Sequence, residues 1–202
     1  MSRLRIFLLS PAHCGGKRAA ILLNEHATFP LAERLRSPSG VRLGEAFSFL
    51  SGLYFRGKLA YADRFARPPT GQRGVQVITT DRGLLASDAP VGTRELREFG
   101  TVDIRADQPS YREPLARHLA RLSQVAAADV VLLGSVATGK YVDLLLEFMG
   151  ERLLFPREFV GRGDMSRGAL LLRAVREGKE LDYEPVAGAI RQGRRAPKVG
   201  AP

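Results

Sequence analysis

The sequence predicts an α/β protein with a mainly parallel sheet of four to five strands and helices on both faces, a three-layer Rossmann-like fold. Short apolar runs at Leu4–Leu9, 75–80, 130–133 and 152–155 are typical of buried strands. Longer segments between them repeat apolar residues every three to four positions, as amphipathic helices do. Because strands alternate with helices, βαβ units are favoured over a sheet of hairpins.

Three segments show the helical repeat most clearly. The first, 43–65, predicts one amphipathic helix or two helices joined near Gly52. The second has Leu115, Leu119 and Leu122 on one face and places Pro114 in its first turn. The third follows the loop 161–168 and runs to about residue 176.

The remaining segments carry weaker signals. Residues 101–104 predict an edge strand. The length of 202 residues fits a single domain, assigned to 1–187, and the Gly- and Pro-containing basic end 188–202 predicts a flexible tail.

The amino-acid composition favours some classes of binding partner over others. The chain carries 31 Lys and Arg against 21 Asp and Glu, a formal charge of +10, which favours anionic partners such as nucleic acid or nucleotides. The single cysteine, Cys14, rules out an internal disulfide and fits a reducing cytoplasm. No apolar run is long enough to span a bilayer, and the scattered histidines and cysteine predict neither a metal site nor a cofactor.

A glycine loop follows the first strand. Residues 10–18 combine small residues with two cations, so their backbone and side chains could surround an anion. The loop is not a Walker A motif, since Pro11 occupies the first glycine position and Arg18 the magnesium-binding hydroxyl position. A solvated strand-to-helix turn is the alternative. Its candidate ligand-binding residues are Ser10, Cys14, Gly15, Gly16, Lys17 and Arg18.

A second glycine loop follows the strand at 130–133. Residues 134–140 fit the pattern GxxxxGK between a strand and a helix, the context of a phosphate-binding loop. Tyr141 stands where a Ser or Thr would hold magnesium, which argues against a nucleotide hydrolase of that class. Gly134, Ser135, Lys140 and Tyr141 remain candidates for phosphate binding.

The third loop, 161–168, holds more charge than a plain helix start needs. Asp164 or Ser166 could cap the following helix, which is the structural alternative. The surplus of arginine and glycine instead favours a ligand-facing loop with Arg162, Gly163, Ser166 and Arg167 as binding residues. In a parallel sheet the loops after the strands meet at one edge, so the sequence predicts a cationic mouth that also includes Arg82.

Short motifs in this order resemble a known family. They are Ser51-Gly52-Leu53-Tyr54 with Arg56-Gly57-Lys58, then Arg82-Gly83-Leu84-Leu85, the run 134–141 and the run 161–167. Together they resemble the peroxide stress protein YaaA family over most of the chain. The resemblance implies an α/β protein of the cytoplasm that binds DNA in the context of oxidative damage, with a pocket of unknown chemistry.

Three functions follow as expectations. The first is a nucleic-acid or nucleotide-binding protein, linked through the resemblance to DNA damage or oxidative stress, with phosphate contacts in the glycine loops and at Arg56 and Lys58. The second is a nucleoside- or nucleobase-processing enzyme that cleaves a glycosidic bond or transfers a base. Its catalytic candidates are Asp164, Tyr54 and Ser135. The third is a partner-binding protein without catalysis.

Overall fold

The computed structural model describes residues 3–105, 107–125, 128–137 and 139–190. Its strands are β1 (Leu4–Leu9), β2 (Val41–Arg42), β3 (Val75–Ile78), β4 (Leu84–Ala86), β5 (Pro90–Val91), β6 (Ala128–Leu133), β7 (Leu153–Pro156) and β8 (Tyr183–Pro185). Its helices are α1 (Lys17–Leu22), α2 (Pro30–Arg36), α3 (Leu43–Ser51), α4 (Leu53–Phe65), α5 (Thr93–Thr101), α6 (Pro109–Ser123), α7 (Gly139–Met149) and α8 (Asp164–Glu177).

Six strands form the main sheet in the order β4-β3-β1-β6-β7-β8, and β2 pairs with β5 in a separate ribbon. The four central strands are parallel, whereas β4 and β8 pair antiparallel at the two edges. The longest ladder joins β1 to β6 over six residues of each strand. Because β1 is fully buried from Ile6 onward, helices must cover the sheet centre on both faces. The predicted α/β class is confirmed.

The helices α4 and α8 pack closely, and two glycines permit this contact. A Cβ built on Gly57 would lie 2.8 Å from the carbonyl oxygen of Gly168. One built on Gly168 would lie 2.9 Å from the Leu53 carbonyl oxygen and from the Tyr54 Cα. Backbone therefore packs on backbone here. The contact also brings the side chains near Lys58 next to those at the start of α8.

The order of the strands fixes where a ligand site is expected. From β1 the chain moves to β3 on one side, and it later returns to β6 on the other side of β1. The loops after β1 and β6 therefore lead away in opposite directions and leave a crevice at the carboxyl ends of these strands. Ser10 stands at that point, and its backbone N–H donates to the Leu133 carbonyl at 3.1 Å.

Several details differ from the sequence prediction. Residue 101 ends α5 and 102–104 are irregular, so the expected edge strand is absent there and the edges are β4 and β8. The sheet has six strands instead of four to five. Pro114 lies inside α6, which begins five residues earlier. The break near Gly52 is confirmed, with φ +61° between α3 and α4.

Two further expectations concern the C-terminal tail and membrane-spanning helices. Most of the predicted tail, residues 191–202, lies outside the described residues. Within the described part of the chain, no helix combines the length and the apolar character that crossing a membrane requires.

Candidate ligand-binding cleft

A cleft of about 670 Å³ opens at the crevice between the loops after β1 and β6. This volume lies within the range of about 300–1,000 Å³ that small-molecule sites occupy. The lining comes from the β1 loop, the α3–α4 region, the end of α5 with the irregular segment after it, the β6 loop and the start of α8. The two glycine loops after β1 and β6 therefore meet the first turn of α8 in this cleft.

Lys58 is the most unusual residue of the cleft. Its side chain is only 1% exposed, although it projects from α4 toward a polar site. The ammonium donates to the carbonyl oxygen of Ser10 at 2.6 Å and approaches the Ser10 Oγ at 2.9 Å. It also lies 4.6 Å from the ring centroids of Tyr54 and Phe55. Burial disfavours the charged form and lowers the pKa of Lys58 to about 7, despite the opposing effect of Asp164.

Arg167 is a second buried cation on the cleft wall, 7% exposed. Its Nε and Nη2 both donate to the Phe159 carbonyl oxygen at 3.2 Å, which fixes the guanidinium plane. The Asp164 carboxylate is mostly exposed and meets Nη1 at 3.5 Å, a long contact. Because a guanidinium stays protonated in proteins, Arg167 is a permanent positive charge in this wall.

Tyr54 lies between these two cations. Its hydroxyl is buried and makes no hydrogen bond among the described residues. Burial raises the pKa of Tyr54, and the nearby Arg167 guanidinium opposes the rise. Buried polar groups without a partner are rare in folded proteins, and the hydroxyl of Tyr111 is a second one among the described residues.

The β6 loop differs from a phosphate-binding loop in one important contact. The Ser135 backbone N–H, which would point at a phosphate in such a loop, donates to the Tyr141 hydroxyl at 2.9 Å. Gly134 allows this arrangement, since a Cβ there would lie 2.8 Å from the same hydroxyl and 2.9 Å from the Ser10 Cβ. Tyr141 therefore closes the loop and lies beside Ser10.

Another part of the lining is apolar. Ala12, Cys14, Phe99, Val102 and Ile104 line it. The exposed carboxylate of Asp103 and the buried hydroxyl of Thr80 interrupt this surface, and the latter donates to the Phe99 carbonyl oxygen at 3.1 Å. Burial, followed by the nearby Asp81, raises the pKa of Cys14 to about 12, so the thiol stays protonated.

The structure brings together about half of the predicted site residues. Those lining the cleft are Ser10, Cys14, Tyr54, Lys58, Ser135, Lys140, Tyr141, Asp164 and Arg167, and Gly134 lies directly behind Ser10. The three proposed catalytic residues are all in this group.

The other predicted residues lie elsewhere. Gly15 and Gly16 pack against the His13 ring, and Lys17 begins α1 on the surface. Arg18 donates to the Phe49 carbonyl at 3.2 Å and shares a separate shallow depression with Arg56.

Arg82 and the outer part of the 161–168 loop also differ from expectation. Arg82 is paired with Glu98 and stacks near Phe99 instead of facing the cleft. Arg162 contacts the Glu158 carbonyl and the Ser166 Oγ at 2.8 and 3.2 Å. The N-cap of α8 is Gly163, so neither Asp164 nor Ser166 caps this helix.

The sequence prediction missed the apolar wall. Phe99, Val102, Asp103 and Ile104 reach the cleft from a segment with weak periodicity. Their position depends on α5 packing beside the β1 loop, where Gly100 lies close to the Cys14 carbonyl. Such a long-range contact leaves no local signal in the sequence.

Comparisons of the chain with models of known protein families, with curated proteins and with solved structures gave no match. The resemblance to the YaaA family therefore stays a prediction. Within the described ranges, no three His, Cys, Asp or Glu side chains come close enough to hold a metal ion.

Proposed function

We propose that the cleft binds a phosphorylated small molecule of nucleotide size. The single observation that carries this proposal is the buried Arg167 on the wall of the cleft, held in place by the Phe159 carbonyl and met by a carboxylate only at 3.5 Å. Keeping a permanent charge out of water costs free energy, and a bound anion would offset that cost. An arginine fork also matches the geometry of a phosphate.

The polar side of the cleft fits a phosphate group. Arg167 and the exposed Lys140 supply two positive charges, and the hydroxyls of Ser10 and Ser135 supply neutral donors. Lys58 is less available to a ligand, because its ammonium is buried against Ser10. The phosphate would therefore lie between Arg167, Lys140 and Ser10.

The other side fits a nucleoside. Phe99, Val102 and Ile104 offer an apolar surface for a base. Asp103 stands among them, and a carboxylate in such a position can accept hydrogen bonds from ribose hydroxyls. Because one cleft offers both charge and apolar surface, a nucleoside monophosphate fits better than inorganic phosphate or a free nucleoside.

This proposal narrows the broader expectation of a nucleic-acid or nucleotide-binding protein. A cleft with two glycine-loop walls suits a single nucleotide or a strand end, whereas a duplex requires contacts spread over an open surface. A role in oxidative stress or DNA damage, which the YaaA resemblance implies, is compatible with a nucleotide ligand.

Thermal unfolding with a panel of ligands tests the proposal. Ribonucleoside 5′-monophosphates should raise the melting temperature, since a ligand at 100 times its Kd adds about 2.7 kcal/mol of stability. Nucleosides and inorganic phosphate should raise the melting temperature only at much higher concentration. No stabilisation by any of the four common monophosphates at millimolar concentration would refute nucleotide binding.

Paired variants separate the two halves of the cleft. Lys140→Met should weaken the binding of monophosphates and of inorganic phosphate alike, because it removes a phosphate contact. Ile104→Ala should weaken the binding of monophosphates and leave the binding of inorganic phosphate unchanged. Lys179→Met, which removes an exposed lysine two residues after α8 ends, is the matched control and should leave every affinity unchanged. Equal losses for both ligands in Ile104→Ala would contradict the assignment of the base to this wall.

A further inference from the structure

Ser10 and Lys58 form a pair with the geometry of a nucleophile and its base. The Lys58 Nζ lies 2.9 Å from the Ser10 Oγ, and both residues line the cleft. A second contact, from Nζ to the Ser10 carbonyl oxygen at 2.6 Å, fixes the lysine relative to the serine. Nucleophile and base within hydrogen-bond reach, with the base oriented by a third group, is the arrangement that activates a serine.

The surroundings support a neutral amine at Lys58. The charged and titratable groups that face it are Tyr54 on its own helix, Asp164 and Arg167 on α8, and Tyr141 from α7. Burial is the dominant effect, and the Arg167 charge adds to it, while Asp164 opposes both. A pKa of about 7 leaves a large share of the amine unprotonated near neutral pH, as a general base requires.

We propose that Ser10 is a nucleophile activated by Lys58 and accepts the phosphoryl group of the ligand bound in the cleft. This inference rests on the proposed function. In the first step the Ser10 Oγ–P bond forms, its proton passes to Lys58, and the P–O bond to the leaving alcohol breaks. Lys58 returns that proton to the leaving oxygen. Water then attacks the phosphoserine, so that inorganic phosphate is released and Ser10 is restored.

Two neighbours suit this reaction. Arg167 lies where it can stabilise charge on the transferring group, the role that fixed guanidinium groups have in phosphoryl transfer. Tyr141 holds its hydroxyl next to Ser10 through the bond from the Ser135 N–H.

An alkyl fluorophosphonate tests the nucleophile directly. Attack by an activated serine forms an Oγ–P bond and releases fluoride, so peptide mass spectrometry identifies the labelled residue. We expect label on Ser10, no label at this position in Ser10→Ala, and a labelling rate that rises with pH through about 7 and then levels. Label on Ser51 or Ser135 instead, or none on Ser10 under conditions that label a known serine hydrolase, overturns the inference.

Lys58→Met measures the contribution of the base. It should slow the labelling of Ser10 by at least about 100-fold, the lower range for general base catalysis, and remove the pH dependence near 7. In the control variant Lys179→Met, Ser10 should be labelled at the wild-type rate. An unchanged rate in a folded Lys58→Met protein shows that Ser10 is not activated by this lysine and overturns the inference.

Ligand binding by the Ser10→Ala variant separates the two proposals. The variant loses one neutral donor but keeps the charges of Arg167 and Lys140, so we expect it to bind nucleoside monophosphates more weakly than the wild type and to lose all labelling at this position. Binding without labelling of the wild-type protein overturns only the nucleophile. Labelling of Ser10 that saturating monophosphate does not slow overturns the phosphoryl ligand, and with it the proposed function.

Discussion

Lys58 is a residue whose burial should lower the stability of the fold at low pH. An amine with a pKa of about 10.5 in the unfolded chain has a pKa of about 7 in the fold. The unfolded state therefore binds more protons between these two values, and stability rises with pH across that window. Below pH 7 the cost of burying the charged lysine is fully present.

Replacing this lysine tests that cost. Lys58→Met should raise the free energy of unfolding by about 1–2 kcal/mol at pH 6, since removal of a buried charge outweighs the lost bonds to Ser10. The gain should shrink as the pH rises from 7 toward 10, where the native lysine is neutral. Urea unfolding at several pH values measures both effects.

Lys179→Met is the matched control for this measurement, because the lysine it removes is exposed. It should change stability by less than about 0.5 kcal/mol at every pH. If Lys58→Met destabilises the protein equally at pH 6 and pH 10, the lysine is not held in the disfavoured charged state at low pH.

At the scale of elements, the contact between α4 and α8 builds the cleft. The two helices meet through Gly57 and Gly168, so the side chains that follow Gly57 and precede Gly168 lie close together. Lys58 and Arg167 are those neighbours. The site therefore depends on a close backbone approach that no larger residue permits.

Gly57→Ala should separate the helices. In an open helical position this change would stabilise the protein by up to about 1 kcal/mol. Here the new Cβ meets the Gly168 backbone, so we expect a loss of about 1–3 kcal/mol and weaker binding of nucleoside monophosphates. Thermal and urea unfolding with a ligand titration measure these changes.

The neighbouring Arg56→Ala provides the control, since this arginine is exposed on the same helix. Its stability should stay within about 0.5 kcal/mol of the wild type. A Gly57→Ala protein as stable as the Arg56→Ala protein would show that the helices can move apart without cost.

The same scale explains what the sequence predicts and what it does not. The long buried strands β1 and β6 and the helix pair α3 and α4 carry strong local patterns, and their positions were predictable. The edge strand β8 has three residues and is held by tertiary contacts, such as the bond between the hydroxyls of Tyr61 and Tyr183 at 2.5 Å. Ser10, Lys58 and Arg167 were recognised as polar candidates, but their convergence depends on the glycine contact between helices.

At the scale of the whole molecule, we expect charge to have two distinct roles. Four of the 31 Lys and Arg residues lie in 191–202, and no acidic residue accompanies them. Many other arginines are paired, for example Arg34 with Glu45 and Arg112 with Glu147. The net charge therefore says little about the cleft, where the proposed phosphate contacts come from one buried cation, Arg167, and one exposed cation, Lys140.

Removing residues 191–202 should separate these roles. We expect weaker binding to duplex DNA at low salt, with the slope of log affinity against log salt smaller by up to about 3.6, because four cations are lost. Affinity for nucleoside monophosphates should be unchanged. Fluorescence anisotropy over a salt series measures the first quantity, and a parallel nucleotide titration is its control. A shortened protein that loses nucleotide binding would place part of the site in this segment.

The most direct test of the central claim is a crystal structure of the protein with a phosphonate analogue of a nucleoside 5′-monophosphate, which the proposed phosphoryl transfer cannot cleave. We predict the phosphonate within about 4 Å of the Arg167 guanidinium and close to the Ser10 Oγ, with the base against Phe99 and Ile104. An analogue bound outside the cleft, or an empty cleft at saturating analogue, would contradict the account.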